Sequence, residues 1–347
     1  MKPTLLIPAA ALAAALLSAG CGGDSAAPKA KADAPVASAA ADLPAGRIAF
    51  RRYFDPAQTH GAVFTIKPDG TGEKQITRPP AGVVDDQPDW SPDGRLIAFE
   101  RCPTDKPCSV WTVGADGTHL SKVPARCKLG PICDVNSPSW TPDGLLVVGI
   151  AQGRERSRGG MVQIERFSVE RVDVRHRDQR TIIARDHWTG DTAEPAISPD
   201  GRTVVYTRWN SWRTKPVDGE ALYAVGIDGK HNRHLTPWKL DAGDHAGFSP
   251  DGSKILFRSY HREDAKQADF WTVAPDGSGL TRLTRVDQGT LVLSASYSSD
   301  GKWIAHATDG RDEQADIFVM RADGTGGTPV TRTKAWDSAP DWGPPAS

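Results

Sequence analysis

Acidic, amide and imidazole side chains recur at fixed distances before a repeated turn, and they are the first residues whose types suggest chemistry. The turn is Ser91-Pro92-Asp93-Gly94 and its relatives. The side chains four or five places before the first residue of each turn include Asp86, Gln87, Asn136, Glu194, Asp244 and His245. Carboxylate and amide oxygens suit calcium or the amine of a ligand. The alternative is solvated polar residues around water, and no other metal is indicated.

Four cysteines form two closely spaced pairs, Cys102 with Cys108 and Cys127 with Cys133. Cysteines that lie close together in the sequence of an exported protein usually form disulfides. The five-residue gaps are wider than the usual spacing of zinc ligands. We therefore predict the two local disulfides, with crossed pairing and a zinc site as the alternatives.

Tryptophan is abundant, with eleven residues in the chain. Six precede the repeated turn or lie in strand-like runs, which predicts packing between sheets. The remaining tryptophans and one arginine lie in predicted connections and are candidate partner-binding residues: Trp188, Trp209, Trp212, Arg213, Trp238 and Trp336. Tryptophan and arginine are enriched at binding hot spots. The alternative is that these tryptophans cover their own part of the fold.

The elements that must position these residues are units of about 50 residues. The repeated turn begins at Ser91, Thr141, Ser198, Ser249 and Ser298. A second turn with an Asp-Gly pair, such as Asp69-Gly70, lies between further apolar runs of most units. Four strand-like runs per unit at this period are typical of a β-propeller, in which small sheets stack around a channel.

Six such units fit the chain, so the predicted fold class is all-β, a six-bladed β-propeller. The first unit begins at Arg47 without an inner strand of its own. The tail at 337–342 carries an inner-strand pattern that no other unit needs. We therefore predict that the C-terminal strand completes blade one and closes the ring.

The N-terminal region has the pattern of an export signal rather than of a folded domain. An apolar run ends in Ser18-Ala19-Gly20-Cys21, which predicts a lipoprotein-type signal over 1–21 with Cys21 lipidated. An ordinary signal peptide is the alternative. Residues 22–45 have the composition of a disordered tether, and 46–347 form the propeller. The predicted location is outside the cytoplasm, with the lipid holding the chain on the outer face of the cytoplasmic membrane or on the outer membrane.

The charge and motif content limit the classes of function. A net charge of −1 argues against nucleic acid as a partner, since such surfaces carry a basic excess. The sequence contains neither a Gly-x-Ser-x-Gly nor a His-Glu-x-x-His motif, and no phosphate-binding glycine loop. An active site assembled from distant residues at the channel mouth stays open, so these absences disfavour an enzyme without deciding the question.

The repeat, with its inner strand ending in a bulky residue before Ser-Pro-Asp-Gly, resembles the TolB-type β-propeller repeats over 46–347. The resemblance implies the fold, whereas the role of TolB itself does not follow, because only a tether is predicted before the propeller. Our first hypothesis is a monomeric, non-enzymatic binding platform for an envelope protein or polysaccharide. The alternatives are a propeller-type lyase or hydrolase on a glycan or peptide, and a sensor of a small ligand or cation.

Overall fold

The computed structural model describes residues 43–125, 127–155, 162–174, 180–186, 192–209, 219–261, 264–309 and 314–345. The predicted signal segment, Cys21 and all but the end of the predicted tether lie outside these ranges. Within them, no helix is long and apolar enough to cross a membrane.

The described residues form strands β1 to β24, which pair antiparallel in six groups of four that we call blades. Single parallel bridges, Gly61 with Val84 and Ala268 with Leu291, join blade 1 to blade 2 and blade 5 to blade 6. From the inner to the outer strand, blade 1 contains β24 (Trp336–Trp342), β1 (Ile48–Tyr53), β2 (Gly61–Ile66) and β3 (Lys74–Gln75). Blade 2 contains β4 (Val83–Trp90), β5 (Leu96–Pro103), β6 (Ser109–Gly114) and β7 (Ser121–Lys122). Blade 3 contains β8 (Ile132–Trp140), β9 (Leu146–Glu155), β10 (Val162–Val172) and β11 (Arg180–Asp186).

The other three blades repeat the same order. Blade 4 contains β12 (Thr192–Ile197), β13 (Thr203–Trp209), β14 (Glu220–Gly226) and β15 (Arg233–His234). Blade 5 contains β16 (Ala242–Phe248), β17 (Ile255–His261), β18 (Asp264–Val273) and β19 (Thr281–Arg282). Blade 6 contains β20 (Leu291–Tyr297), β21 (Trp303–Asp309), β22 (Ala315–Arg321) and β23 (Thr328–Pro329). A short 3-10 helix at Trp238–Leu240 lies in the crossing from blade 4 to blade 5.

The blades are arranged in a closed ring around a channel. Each inner strand contacts the inner strands of both neighbouring blades, and β24 contacts β20 on one side and β4 on the other. The C-terminal strand β24 pairs with β1 along its length, from Ile48 opposite Trp342 to Tyr53 opposite Trp336. The predicted all-β propeller fold is confirmed, and the described strands group into six blades with β24 as the inner strand of blade 1.

The Ser-Pro-Asp-Gly turn is held by its own side chains. The Ser91 hydroxyl donates to Asp93 Oδ1 at 2.7 Å and accepts the Leu96 N–H at 2.9 Å. The Gly94 N–H closes the turn onto the Ser91 carbonyl at 2.8 Å, and Gly94 has a φ of 68° that favours glycine. The same serine or threonine bond to aspartate recurs in blades 3 to 6, which explains why the motif repeats.

The bulky residue before each turn packs between two blades. Trp140 lies in an apolar cluster with Ala98 of blade 2 and Leu146 of blade 3. Trp342 lies in a cluster with residues of blades 1 and 6, and Leu43 packs against the same cluster. Leu43 belongs to the segment that the sequence predicts as tether, so ordered chain begins before residue 46.

The two faces of the ring differ in their connections. The Ser-Pro-Asp-Gly and Asp-Gly turns share one face, which we call the turn face, because the first and third strands of an antiparallel blade end on the same side. The other face, the crossing face, carries the crossings between blades. Two disulfides lie on it, Cys102–Cys108 and Cys127–Cys133, with Cα–Cα distances of 4.2 and 5.5 Å. The predicted local pairing is confirmed.

Candidate functional site

A bulge interrupts the inner strand of every blade at the level of the predicted channel residues. Five of the residues at this level have left-handed backbone: Gln87, Ser137, Glu194, His245 and Ala339, with φ between 46° and 54°. Non-glycine residues rarely adopt this region unless the surrounding structure holds them there. The sequence indicates the bulge, because proline follows four of these five residues. Proline inside a sheet occurs at a bulge or on an edge strand.

The bulge brings two of the predicted residues together across the channel. Gln87 Nε2 lies 2.7 Å from His245 Nε2, although the two residues belong to blades 2 and 5. Glu194 lies beside His245, and its Oε2 accepts the His245 backbone N–H at 3.2 Å. These three side chains therefore form one group in the channel.

The structure places the other predicted channel residues differently. Asp86 pairs with the Arg51 guanidinium and accepts the Gln87 N–H at 2.7 Å, so its charge is already compensated. Asn136 donates to Asp134 at 2.9 Å on its own strand, and its Oδ1 is buried without a hydrogen-bond partner among the described residues. The side chain of Asp244 lies outside the described residues.

Two half-buried glutamates near the channel, Glu100 and Glu220, were not predicted from the sequence. Burial, and then the neighbouring Asp86 carboxylate, raise the pKa of Glu100 to about 8. Burial, and then Glu194, raise the pKa of Glu220 to about 7. Their positions within strands β5 and β14 gave no signal, since a charged residue in a strand usually faces solvent.

A belt of hydrogen bonds joins neighbouring blades on the turn-face side of the bulge. In each bond, a side chain on one inner strand accepts the backbone N–H of the bulky residue on the next inner strand. The bonds run from Trp90 to Asp341 at 2.7 Å, from Trp140 to Asp89 at 2.8 Å, from Ile197 to Ser139 at 3.4 Å and from Trp342 to Ser296 at 3.1 Å. The belt lacks an acceptor at the two equivalent positions, Ala196 and Gly247.

The channel widens into a cavity of about 360 Å³ between the bulge and the turn face. Its walls are the inner strands of all the blades, from Gln87 to the turn proline Pro92 and their equivalents. This cavity therefore lies on the turn-face side of the channel, whereas the disulfides lie on the crossing face.

Of the predicted partner-binding tryptophans, the structure describes Trp209 on blade 4, Trp336 on blade 1 and Trp238 in the crossing from blade 4 to blade 5. Trp238 lies in the 3-10 helix, with its ring 5.4 Å from His234 and 6.1 Å from Tyr223. The prediction that Trp209 and Trp336 lie in connections is wrong. Trp209 is the last residue of β13, and Trp336 is the first residue of β24. Both are half-buried. Trp188, Trp212 and Arg213 lie outside the described residues.

Among the described residues, no group of three or more histidine, cysteine, aspartate or glutamate side chains is placed to hold a metal ion. The predicted calcium site included Asp244, whose side chain is not described, so calcium stays a prediction.

Comparison with known proteins relates parts of the chain to two kinds of protein. No protein-family model matches it. The chain is 26% identical over 192 residues to the uncharacterized peptidase YuxL of Bacillus subtilis, which is 54% of this chain and 22% of that protein. It is 36% identical over 81 residues to the Tol-Pal system protein TolB of Zymomonas mobilis, which is 23% of this chain and 16% of that protein. The chain thus spans under a quarter of the length of these relatives.

Solved structures share the fold over most of the chain. TolB from Acinetobacter baumannii matches with a TM-score of 0.64 and 20% identity, covering 86% of this chain and 67% of that one. An oligogalacturonate lyase in complex with manganese matches with a TM-score of 0.53 and 15% identity, covering 79% and 71%. At these identities the matches show a TolB-type propeller fold, which both binding proteins and enzymes use.

Proposed function

We propose that this protein is an exported, lipid-anchored and non-enzymatic platform that binds a protein of the cell envelope. The export signal and Cys21 supply the location and the anchor in this proposal. The sequence and fold likeness to TolB, named as a Tol-Pal system protein, supports an envelope protein as partner.

The observation that carries the proposal is an aromatic patch on blade 4, made of Tyr223, His234 and Trp238. The Tyr223 and His234 rings stack with centroids 4.8 Å apart, and the Arg208 guanidinium lies 5.3 Å from the Tyr223 ring. His234 is exposed, and Tyr223 and Trp238 are half-exposed. Stacked rings lose little conformational entropy on binding, and tryptophan, tyrosine and arginine dominate hot spots.

Affinity capture from detergent-solubilised envelope tests this role. The full chain serves as bait beside two variants, His234→Ala/Trp238→Ala and the control Phe54→Ala, which removes an exposed aromatic side chain of blade 1. We expect one protein to be captured by the wild type and the control, and at least tenfold less by the patch variant. Equal capture by all three baits, with unchanged melting temperatures, overturns the patch. Capture of a polysaccharide instead moves the partner to another class.

Trp209 and Trp212 are also sequence-predicted candidates, and they are tested separately because neither belongs to the patch. Replacing Trp209 and Trp212 together by alanine should weaken capture and leave folding intact if the segment between them contacts the partner. Loss of folding shows instead that Trp209 packs, in keeping with its half-buried position.

A lyase or hydrolase is the second candidate function, and it is favoured by the neighbouring Glu194 and Glu220 at the channel. A Glu220 pKa of about 7, set by burial and then by Glu194, suits a group that exchanges protons near neutral pH. Turnover of an oligogalacturonate or a peptide, lost in Glu220→Gln, would establish this activity. A calcium-dependent rise in the melting temperature would instead support the cation sensor.

A further inference from the structure

The turn-face cavity has the size of a small-molecule site. Its volume of about 360 Å³ lies within the usual range for ligand pockets. Gln87 and His245 meet at its inner end, while the turn prolines surround its outer end. A ligand therefore enters from the turn face, on the opposite side from the connections that carry the disulfides.

One side of this cavity is acidic. Asp89 belongs to blade 2 and Asp341 to the adjacent blade 1, and each accepts one backbone N–H of the next blade. Asp341 also accepts the Ser296 hydroxyl at 2.8 Å. Burial, and then the Asp341 carboxyl, raise the pKa of Asp89 well above its usual range. Among the residues that line the described cavity there is no lysine or arginine. The cavity wall therefore offers no cationic side chain to pair with the two acids.

Another side presents backbone amides. The Ser249 N–H donates to the Lys254 carbonyl at 2.8 Å, so Phe248 occupies the next, non-hydrogen-bonded position of the antiparallel ladder. The Phe248 N–H therefore points away from β17 and toward the channel, as the N–H of Trp90 does.

Tyr297 is placed in the same way on blade 6, because the Ser298 N–H donates to the Trp303 carbonyl at 2.9 Å. In the other four blades a side chain of the preceding inner strand accepts the equivalent amide. Ala196 and Gly247 stand at these positions for Phe248 and Tyr297, and neither has a side chain that can accept. Among the described residues, no side chain therefore accepts the Phe248 and Tyr297 amides. These are two donors facing a cavity, a feature that costs free energy unless water or a ligand pairs with them.

We propose that the cavity binds a small zwitterion, a free amino acid or a short peptide. Its ammonium group lies between Asp89 and Asp341, and its carboxylate accepts the amides of Phe248 and Tyr297. Charge-assisted hydrogen bonds at both ends give the site its selectivity, since a ligand with one charge leaves the other end unpaired. This site is independent of the blade 4 patch and of the envelope partner.

Titration calorimetry on the full chain tests the ligand class. The probes are glycine, diglycine and triglycine, which differ in length, with N-acetylglycine and glycinamide as analogues that carry one charge. We expect one zwitterion to bind and both analogues to bind at least tenfold more weakly. Absence of binding by all three zwitterions up to about 10 mM, a weak affinity by any standard, overturns the proposal.

Two substitutions test the amide side without removing any existing contact. Ala196→Ser and Gly247→Ser place a hydroxyl where Ser139 and Ser296 accept a neighbouring amide. A Cβ at Gly247 meets nothing closer than the Ala295 carbonyl at 4.0 Å, so the variant should fold. We expect at least tenfold weaker binding with an unchanged or higher melting temperature.

The control is Ser299→Ala, which removes a hydroxyl from the outer rim of the same cavity and should bind as the wild type does. Wild-type affinity in Ala196→Ser and Gly247→Ser would show that the amides do not hold the ligand. Asp89→Asn should also weaken binding, whereas capture of an envelope protein should be unaffected by all four substitutions.

Discussion

The Asp341 carboxylate accepts the backbone N–H of Trp90 at 2.7 Å, and this bond joins the last strand of the chain to the inner strand of blade 2. The Ser296 hydroxyl donates to the other oxygen of Asp341 at 2.8 Å, which joins the same strand to blade 6. One side chain therefore links blade 1 to both of its neighbours. The ring is held closed by side-chain bonds as well as by the pairing of β24 with β1.

Deletion of residues 335–347 should destabilise the whole ring. The deletion removes β24 and leaves β1 with an unpaired edge, and it exposes the apolar cluster around Trp303. We expect a large fall in the melting temperature by circular dichroism. A synthetic peptide of residues 335–347 should restore it, and a scrambled peptide should not. An unchanged melting temperature after the deletion would falsify closure by β24.

A buried ion pair makes a second, separable contribution to closure. Arg52 donates to both carboxylate oxygens of Asp337, at 2.7 and 2.8 Å, and Asp337 is fully buried. Asp337→Ala leaves the Arg52 charge without this partner, so we expect a loss of about 3–5 kcal/mol in the free energy of unfolding.

Glu73→Ala is the matched control for this pair. Glu73 binds the same guanidinium at 2.8 and 3.0 Å, but its side chain is 38% exposed. Its removal should cost about 0–1 kcal/mol. Urea unfolding of the two variants measures the difference, and equal losses would show that burial does not set the strength of the pair.

The ring architecture was predictable because it rests on local chemistry that repeats. The Ser91 turn needs its serine, aspartate and glycine for bonds within six residues, so its motif is visible in the sequence. The inner-strand pattern around Trp342 likewise revealed the closing strand. The two local disulfides were predictable from the short spacing within each cysteine pair together with the export signal, with crossed pairing left as an alternative.

The site was only partly predictable because its geometry depends on the bulge and on contacts between blades. Gln87 and His245 could be placed near the channel by counting from the turn, but not in contact across it. Asp89 and Asp341 were passed over, since their acceptor role depends on amides of neighbouring blades. The prolines that follow four of the bulge residues could have predicted the bulge, and with it a candidate site between the bulge and the turn face.

The two disulfides should each stabilise the fold modestly. Each closes a short loop, for which the entropic model gives about 2 kcal/mol. We expect a reductant to lower the free energy of unfolding of the wild type by a few kcal/mol. A variant with all four cysteines replaced by serine should already have this lower stability and should not respond to the reductant. Stability that is the same for all these samples would contradict the contribution of the disulfides.

His306 should make stability depend on pH between about 6.5 and 4. Burial lowers the pKa of His306 from 6.5 to about 4, because its ring lies between Phe270 and Phe318, with centroids at 5.7 and 5.6 Å. Its Nδ1 is 2.9 Å from the Thr308 hydroxyl, and its Nε2 is buried without a partner among the described residues. The folded protein therefore favours the neutral ring.

The sign of the effect follows from the proton binding of the two states. As the pH falls below 6.5, the unfolded chain takes up a proton that the folded chain accepts only near pH 4, so protonation favours unfolding. The stability lost over this range is about 3 kcal/mol. His306→Leu should remove this part of the pH dependence, which urea unfolding at a series of pH values measures. Thr308→Val, which removes only the hydroxyl contact, should keep it, and an identical pH profile for wild type and His306→Leu would assign the dependence to other groups.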